Sequence, residues 1–153
     1  MPESPSSKTR SFLLYWLPVL LWMGVIFALS SQDKDQSKGL SDTFLFIFRL
    51  MGLDPVQMQE LGIPHLVRKM AHVTEYFILY LLVHRLIASY SPQKSSLLWA
   101  LLVCVLYAAS DEYHQSFVPG RGADVLDVGI DSIGMTIALL LKWKKSLNSH
   151  KQS

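Results

Sequence analysis

The sequence predicts an all-α protein: an integral membrane bundle of four transmembrane helices with cytoplasmic amino and carboxyl termini, plus a short interfacial helix in the first outer loop. Three observations predict it. Half of the 153 residues are hydrophobic and only 17% are charged, against about a quarter in soluble domains. Ser11 to Gln32 carries no charge over 22 residues, enough to cross hydrocarbon as a helix of roughly 20 residues. Three later apolar runs are bordered or interrupted by ionisable side chains, which a membrane tolerates where they face a polar interior.

The length gives room for one domain, read as residues 11–145 between cytoplasmic tails at 1–10 and 146–153. Met1 to Thr9 holds two Pro and three Ser with nothing apolar to bury. Lys8 and Arg10 then precede the first span, which ends Ala28-Leu29-Ser30. A cleaved signal peptide has that ending too, but its apolar core is about 7–15 residues, and Phe12 to Leu29 is longer. A retained anchor is the expectation. From Ser31 to Pro64 the chain is a polar connection containing Ser41 to Gly52, where Ser41 can cap a helix and Gly52 can stop it. At about ten residues this insert is too short to span, and it lies in the interface or packs as a loop on the bundle.

Pro64 opens the second long helix, His65 to Ala88. Its lower part is apolar, while Arg68, His72, Glu75 and Leu79 share one face at about 100° per residue. Lys69 and Tyr76 flank that face. Ser91-Pro92 starts the third run, Ser95 to Ser110, which is free of charge and ends at Asp111-Glu112. The fourth, Val125 to Leu141, has Asp124 as its expected N-cap. Asp124, Asp127, Asp131 and Gly134 share a face, and Gly134 with Ala138 makes a small pair four residues apart that permits close approach of another helix.

With the amino terminus inside, eight Lys and Arg fall on the cytoplasmic side and six outside. Among short segments next to the spans the bias is clearer, as the positive-inside rule requires. Trp16, Trp99 and Trp143 then sit near the cytoplasmic ends of their spans. A net charge of +2 with scattered basic residues excludes a nucleic-acid partner. Cys104 is the sole cysteine, so no disulfide forms within one chain.

This topology draws two polar islands to the outer end. One holds Arg68, Lys69, His72, Glu75 and Tyr76; the other holds Asp111, Glu112, His114, Gln115, Phe117, Arg121, Asp124, Asp127 and Asp131. His72, Glu75, Asp111, Glu112 and His114 are the candidates for acid–base chemistry. Arg68, Lys69, Tyr76, Gln115, Phe117, Arg121, Asp127 and Asp131 are the candidates for holding a substrate. Six acids against three bases leave −3 with His neutral, a balance that suits a divalent cation as cofactor. Arg121 beside a helix start suits an anionic headgroup instead. Four readings stay open: a site binding membrane lipids or a lipid-linked cell-wall precursor, an acid–base or metal-assisted hydrolase or transferase on such a lipid, a proton-coupled transporter, and purely structural charge pairing of Asp127 and Asp131 with Arg68 and Lys69. Four short spans suffice for transport only in an oligomer. Ser110 lacks a nucleophile elbow, which disfavours covalent hydrolysis.

Lys69-x-x-His72-x-x-Glu75-Tyr76 and Ser110-Asp111-Glu112-x-His114-Gln115-x-Phe117-x-Pro119-Gly120-Arg121, followed by Asp127, Asp131-Ser132 and Gly134, resemble the VanZ-like family of small bacterial membrane proteins. The match spans Pro64 to Leu141; Leu126 stands where many members carry a basic residue. The resemblance implies a bacterial cytoplasmic-membrane protein with a polar cluster at its outer end. It also implies a link to teicoplanin-type glycopeptide resistance, the property of the family's namesake.

Overall fold

The computed structural model describes residues 10–32, 46, 49–50, 52, 54–119 and 125–150. Among them there is helix and turn but no strand. Helix α1 runs Phe12–Ser30 and α2 is Pro55–Glu60. The remaining helices are α3, Ile63–Ala88, α4, Gln93–Gln115, and α5, Val125–His150.

Local chemistry accounts for the boundaries. Pro18 has no N–H to return to the carbonyl four residues before it, and directly ahead of it α1 is π-wound over Phe12–Trp16, with Leu17 N–H reaching Phe12 O. Asp54 caps α2 by accepting from Val56 N at 2.9 Å, with Pro55 in the first turn. Only Leu61 and Gly62 join α2 to α3; Gly62 adopts φ 69°, a left-handed conformation that glycine enters without a Cβ clash. The expected helix over Ser41–Gly52 lies mostly outside the described residues. Gly52, with φ 87° and N–H to Arg49 O at 3.0 Å, has the geometry of a helix stop.

Side-chain pairings set the directions. Ser30 meets Asp111, and Tyr107 Oη donates to Met23 O at 2.7 Å, so α1 and α4 run parallel. Trp22 Nε1 donates to Glu75 O at 3.0 Å and Tyr80 Oη to Leu97 O at 3.1 Å, so α3 opposes both. His72 against Asp131, and His84 near Lys142, make α5 parallel to α3. The first half of α3, the end of α4 and the start of α5 therefore share one end of the bundle. Trp16, Tyr90, Trp99 and Trp143 share the other; Trp16 Nε1 lies 3.4 Å from Tyr90 Oη.

Helix α3 is central. Tyr76, Leu79, Tyr80 and Val83 are buried against Ala100, Cys104 and Ala108 on α4 and Met135 and Ala138 on α5. The four-residue spacing of small residues on α4 forms a shallow seam that lets the helices close in. At Gly134 the approach is tighter still: a Cβ there would overlap the Val73 carbonyl oxygen and sit 3.0 Å from Phe77 N. Gly134 is thus where α5 rests on the backbone of α3.

The surface is apolar where a soluble protein's would be polar. Leu20, Leu21, Val25, Leu98, Leu102, Leu106, Ile133, Ile137, Leu140 and Leu141 are all exposed, while acids are buried. Phe12–Ser30 and Ser95–Gln115 are long and apolar enough to cross a membrane. Only 11% and 39% of their apolar windows are buried inside the bundle, so neither has the burial of a soluble core helix.

Two boundaries differ from the sequence expectation. Helix α4 continues through Asp111, Glu112, His114 and Gln115, which the apolar pattern places in the connection after Ser110. Asp111 stays helical because it has partners there, described below. Helix α5 extends past Leu141 to His150, and Lys142, Lys144 and Lys145 in that extension are good helix formers.

Candidate functional site

The polar end of the bundle has two seams that meet at Tyr76. On the α1–α4 seam, Asp111 Oδ2 accepts from Ser30 Oγ at 2.6 Å and from Gln115 Nε2 at 3.0 Å, and Gln115 Nε2 also lies 3.3 Å from Ser30 Oγ. Asp111 and Gln115 are one turn apart, so one α4 face carries the acid and its donor. On the α3–α5 seam, His72 Nδ1 lies 3.5 Å from Asp131 Oδ1 and 3.9 Å from Glu75 Oε2. Both are longer than a short hydrogen bond. Tyr76, on the turn after His72, is fully buried and within electrostatic reach of Asp111, Asp131 and Glu75.

Burial makes this arrangement expensive. Asp111 is 3% exposed and Asp131 1%. Asp111 Oδ1, both Asp131 carboxylate oxygens, Tyr76 Oη and His72 Nδ1 have no hydrogen-bond partner within the protein. Each unsatisfied buried polar group costs about 1–3 kcal/mol, and more if charged. Most of these atoms are acceptors or hydroxyl, so the cluster is built to receive donors: hydroxyl, amide or ammonium groups, or a proton shared between acids. Among the described residues no three His, Cys, Asp or Glu side chains gather as a metal site, and Asp124 lies outside them.

An apolar groove with a cavity volume of about 620 Å³ opens beside the cluster, between α1, α2 and α3. Trp22, Met58, Leu66, Met70 and Ile78 line it, and among the described residues Glu75 is its one ionisable wall. Glu75 therefore belongs to both compartments: it faces the groove and lies 3.9 Å from His72. Buried Met58 fastens the short helix α2 over this side.

The expected site residues divide into three groups. His72, Glu75, Tyr76, Asp111, Gln115 and Asp131 come together, and Asp127 acts electrostatically on Asp131 from one turn away. Glu112 is buried on the same helix end. His114 turns toward α1, its ring centroid 4.4 Å from that of Phe27. Phe117 is 68% exposed and makes an edge-to-face pair with Tyr113 at 5.2 Å, away from the cluster. Arg68 takes His65 Nδ1 as its partner at 3.0 Å, and Asp131 has His72, not Arg68 or Lys69, as its basic neighbour. Direct charge locking by those two bases is absent among the described residues. Gly120, Arg121 and Asp124 lie outside them.

Sequence reasoning missed the contribution of α1. Ser30, Phe27 and Trp22 supply a hydroxyl, a ring and an indole N–H to the site. The available signal was Ser30 and Ser31 closing a charge-free run, which is too common at span ends to single them out.

The family model described as VanZ/LLP1 matches residues 14–145, most of the chain, and so takes in α1 as well as the two polar blocks. No curated protein and no solved structure matches the chain. With its exposed apolar faces, its two span-length helices and that match, the chain belongs to the VanZ/LLP1 family of membrane proteins.

Proposed function

We propose that this protein is a four-span protein of the bacterial cytoplasmic membrane, with both termini cytoplasmic, that binds a lipid-linked headgroup at its outer end. The tail of the lipid lies in the groove of Trp22, Met70 and Ile78, and the headgroup reaches Glu75, His72, Tyr76, Asp111 and Asp131. The observation that carries this reading is the continuity of an apolar groove with a buried acceptor cluster through Glu75. A lipid carrying a sugar or amide headgroup has that same division, apolar along its length and rich in donors at its end. Arg68 and Lys69, one turn and less before His72 on α3, are at the right level for a phosphate linking the two parts. A relation to teicoplanin-type resistance follows if the ligand is a lipid-linked cell-wall precursor.

Ala71 is exposed and lines the groove, so Ala71→Trp fills it without entering the packed core. Native mass spectrometry of protein extracted in mild detergent is expected to show a lipid adduct on the wild type and at least a tenfold weaker one on Ala71→Trp, about 1.4 kcal/mol of affinity. Equal adducts would remove the groove from the account. Orientation is tested separately. Cys104 is fully buried; after Cys104→Ala, a cysteine at exposed Ser116 is expected to react with an impermeant maleimide in intact cells, and labelling only after lysis would reverse the topology.

A second reading is favoured by one contact. His72 lies beside Asp131 in a buried site, the pairing of a general acid–base couple, so a hydrolase or transferase acting on the same lipid uses the same residues. Altered lipid products on overexpression, lost in His72→Gln, distinguish turnover from binding alone.

A further inference from the structure

The other end of the bundle carries a second cavity, of about 510 Å³, between α1, α3 and α5. Its polar wall is Tyr15, His84, Arg85, Ser89 and Lys142, with Leu81 and Leu82 below. Arg85 and Lys142 are its two basic residues, and among the described residues no carboxylate lines the cavity. Two like charges sharing one recess repel, and an anion between them reverses the sign of that interaction. Arg85 is held in place for such a role, its guanidinium 5.4 Å from the centroid of the Tyr15 ring. His84 is 6% exposed, its Nε2 lies 3.4 Å from Ser96 Oγ, and Lys142 is near enough to act on the ring, so His84 walls the recess rather than reaching into it. Tyr15, Ser89 and the two basic side chains thus line one space.

The surroundings decide what kind of anion fits. Exposed Leu140, Leu141 and Trp143 continue the α5 surface beside Lys142, and Trp16 and Tyr90 stand at the same level. Aromatic rings of this kind mark the boundary between hydrocarbon and headgroups. Arg85 is thirteen residues along α3 from His72, about 20 Å at 1.5 Å per residue, so this recess is separate from the cluster of acids. We propose that it is a binding site for the phosphate headgroup of an anionic phospholipid such as phosphatidylglycerol, held between Arg85 and Lys142 with its acyl chains on the apolar flank of α5. The site is independent of the ligand assigned to the opposite end.

The test uses the full chain in detergent, titrated with phosphatidylglycerol, phosphatidylcholine or inorganic phosphate and read by native mass spectrometry. Phosphatidylglycerol is expected to bind in preference to phosphatidylcholine, and the double variant Arg85→Gln, Lys142→Gln to bind it roughly thirtyfold more weakly, the size expected of two basic residues at a lipid surface. Arg85→Lys with Lys142→Arg keeps both charges and is expected to restore preference for phosphatidylglycerol. Circular dichroism of each variant identifies any that fail to fold, and the charge-preserving pair carries the comparison if the neutral pair does. Equal binding of the two lipids, no loss in a folded neutral variant, or displacement of phosphatidylglycerol by millimolar phosphate would each overturn the assignment, the last by making it a site for free anions.

Discussion

Gly134→Ala is expected to destabilise the bundle by more than about 3 kcal/mol, the upper end of ordinary overpacking. A Cβ at this position meets the Val73 carbonyl oxygen and Phe77 N. Both are backbone of α3, so no flexible side chain can move aside and the helices must separate. Separation would also uncover Met135 and Ala138, which are fully buried on the same face, and would pull Asp131 away from His72. Gly129, one turn and a residue earlier on α5, is the internal control, since an added Cβ there meets nothing within 4 Å. Gly129→Ala is expected to be neutral or to stabilise by up to about 1 kcal/mol through helix propensity. Thermal unfolding of the purified proteins in one detergent measures both, and equal melting temperatures would contradict the close contact of α3 and α5.

Asp131→Asn is expected to leave stability unchanged or raised while abolishing retention of the lipid. Asp131 is 1% exposed, and neither carboxylate oxygen has a hydrogen bond within the protein. Exchanging a buried, poorly compensated charge for a neutral amide of the same shape removes a desolvation penalty of several kcal/mol. Sites kept for function tolerate that penalty. The opposing expectation is clear: if Asp131 served only to anchor His72, its loss would break a buried pair and lower stability by about 3–5 kcal/mol, with no effect on lipid retention. Melting and retention measured on the same preparation separate the two roles.

Much of the fold was legible because hydrocarbon and helix periodicity leave strong marks. A charge-free run of 22 residues, a glycine four residues before an alanine, and polar residues at three- and four-residue spacing each became a structural feature: α1, the Gly134 contact, and the His72–Glu75 pair. The end of α4 was less legible. Charge at Asp111 and Glu112 resembles the end of a span, and a tertiary partner, Ser30, together with Gln115 one turn on, favours helix at Asp111. Those partners come from distant or unremarkable positions, and no local pattern announces a serine 81 residues away. Arg68 illustrates the converse. Its sign suggests pairing with the acids of α5, yet His65, three residues back on the same helix, is its partner, and Asp131 is left to His72.

The convergence of two polar blocks into one site was visible once the helices were given directions. What topology alone did not supply was the groove, because its walls are ordinary apolar residues of α1, α2 and α3, and Met58 belongs to a short helix marked locally only by Asp54-Pro55 at its start. That groove changes the chemistry assigned to the site. An isolated cluster of acids suits a cation or a proton; a cluster opening along Glu75 onto an apolar recess suits an amphiphile.

The central claim is that Glu75 joins two halves of one lipid site, and identification of the lipid that co-purifies tests it most directly. Lipids extracted from wild type, Ala71→Trp and Asp131→Asn, prepared identically from native membranes, are compared by mass spectrometry. A species with a donor-bearing headgroup, enriched on the wild type and depleted at least tenfold from both variants, is the result predicted. Wild type carrying only bulk phospholipid, or all three proteins carrying the same lipids in the same amounts, would contradict it.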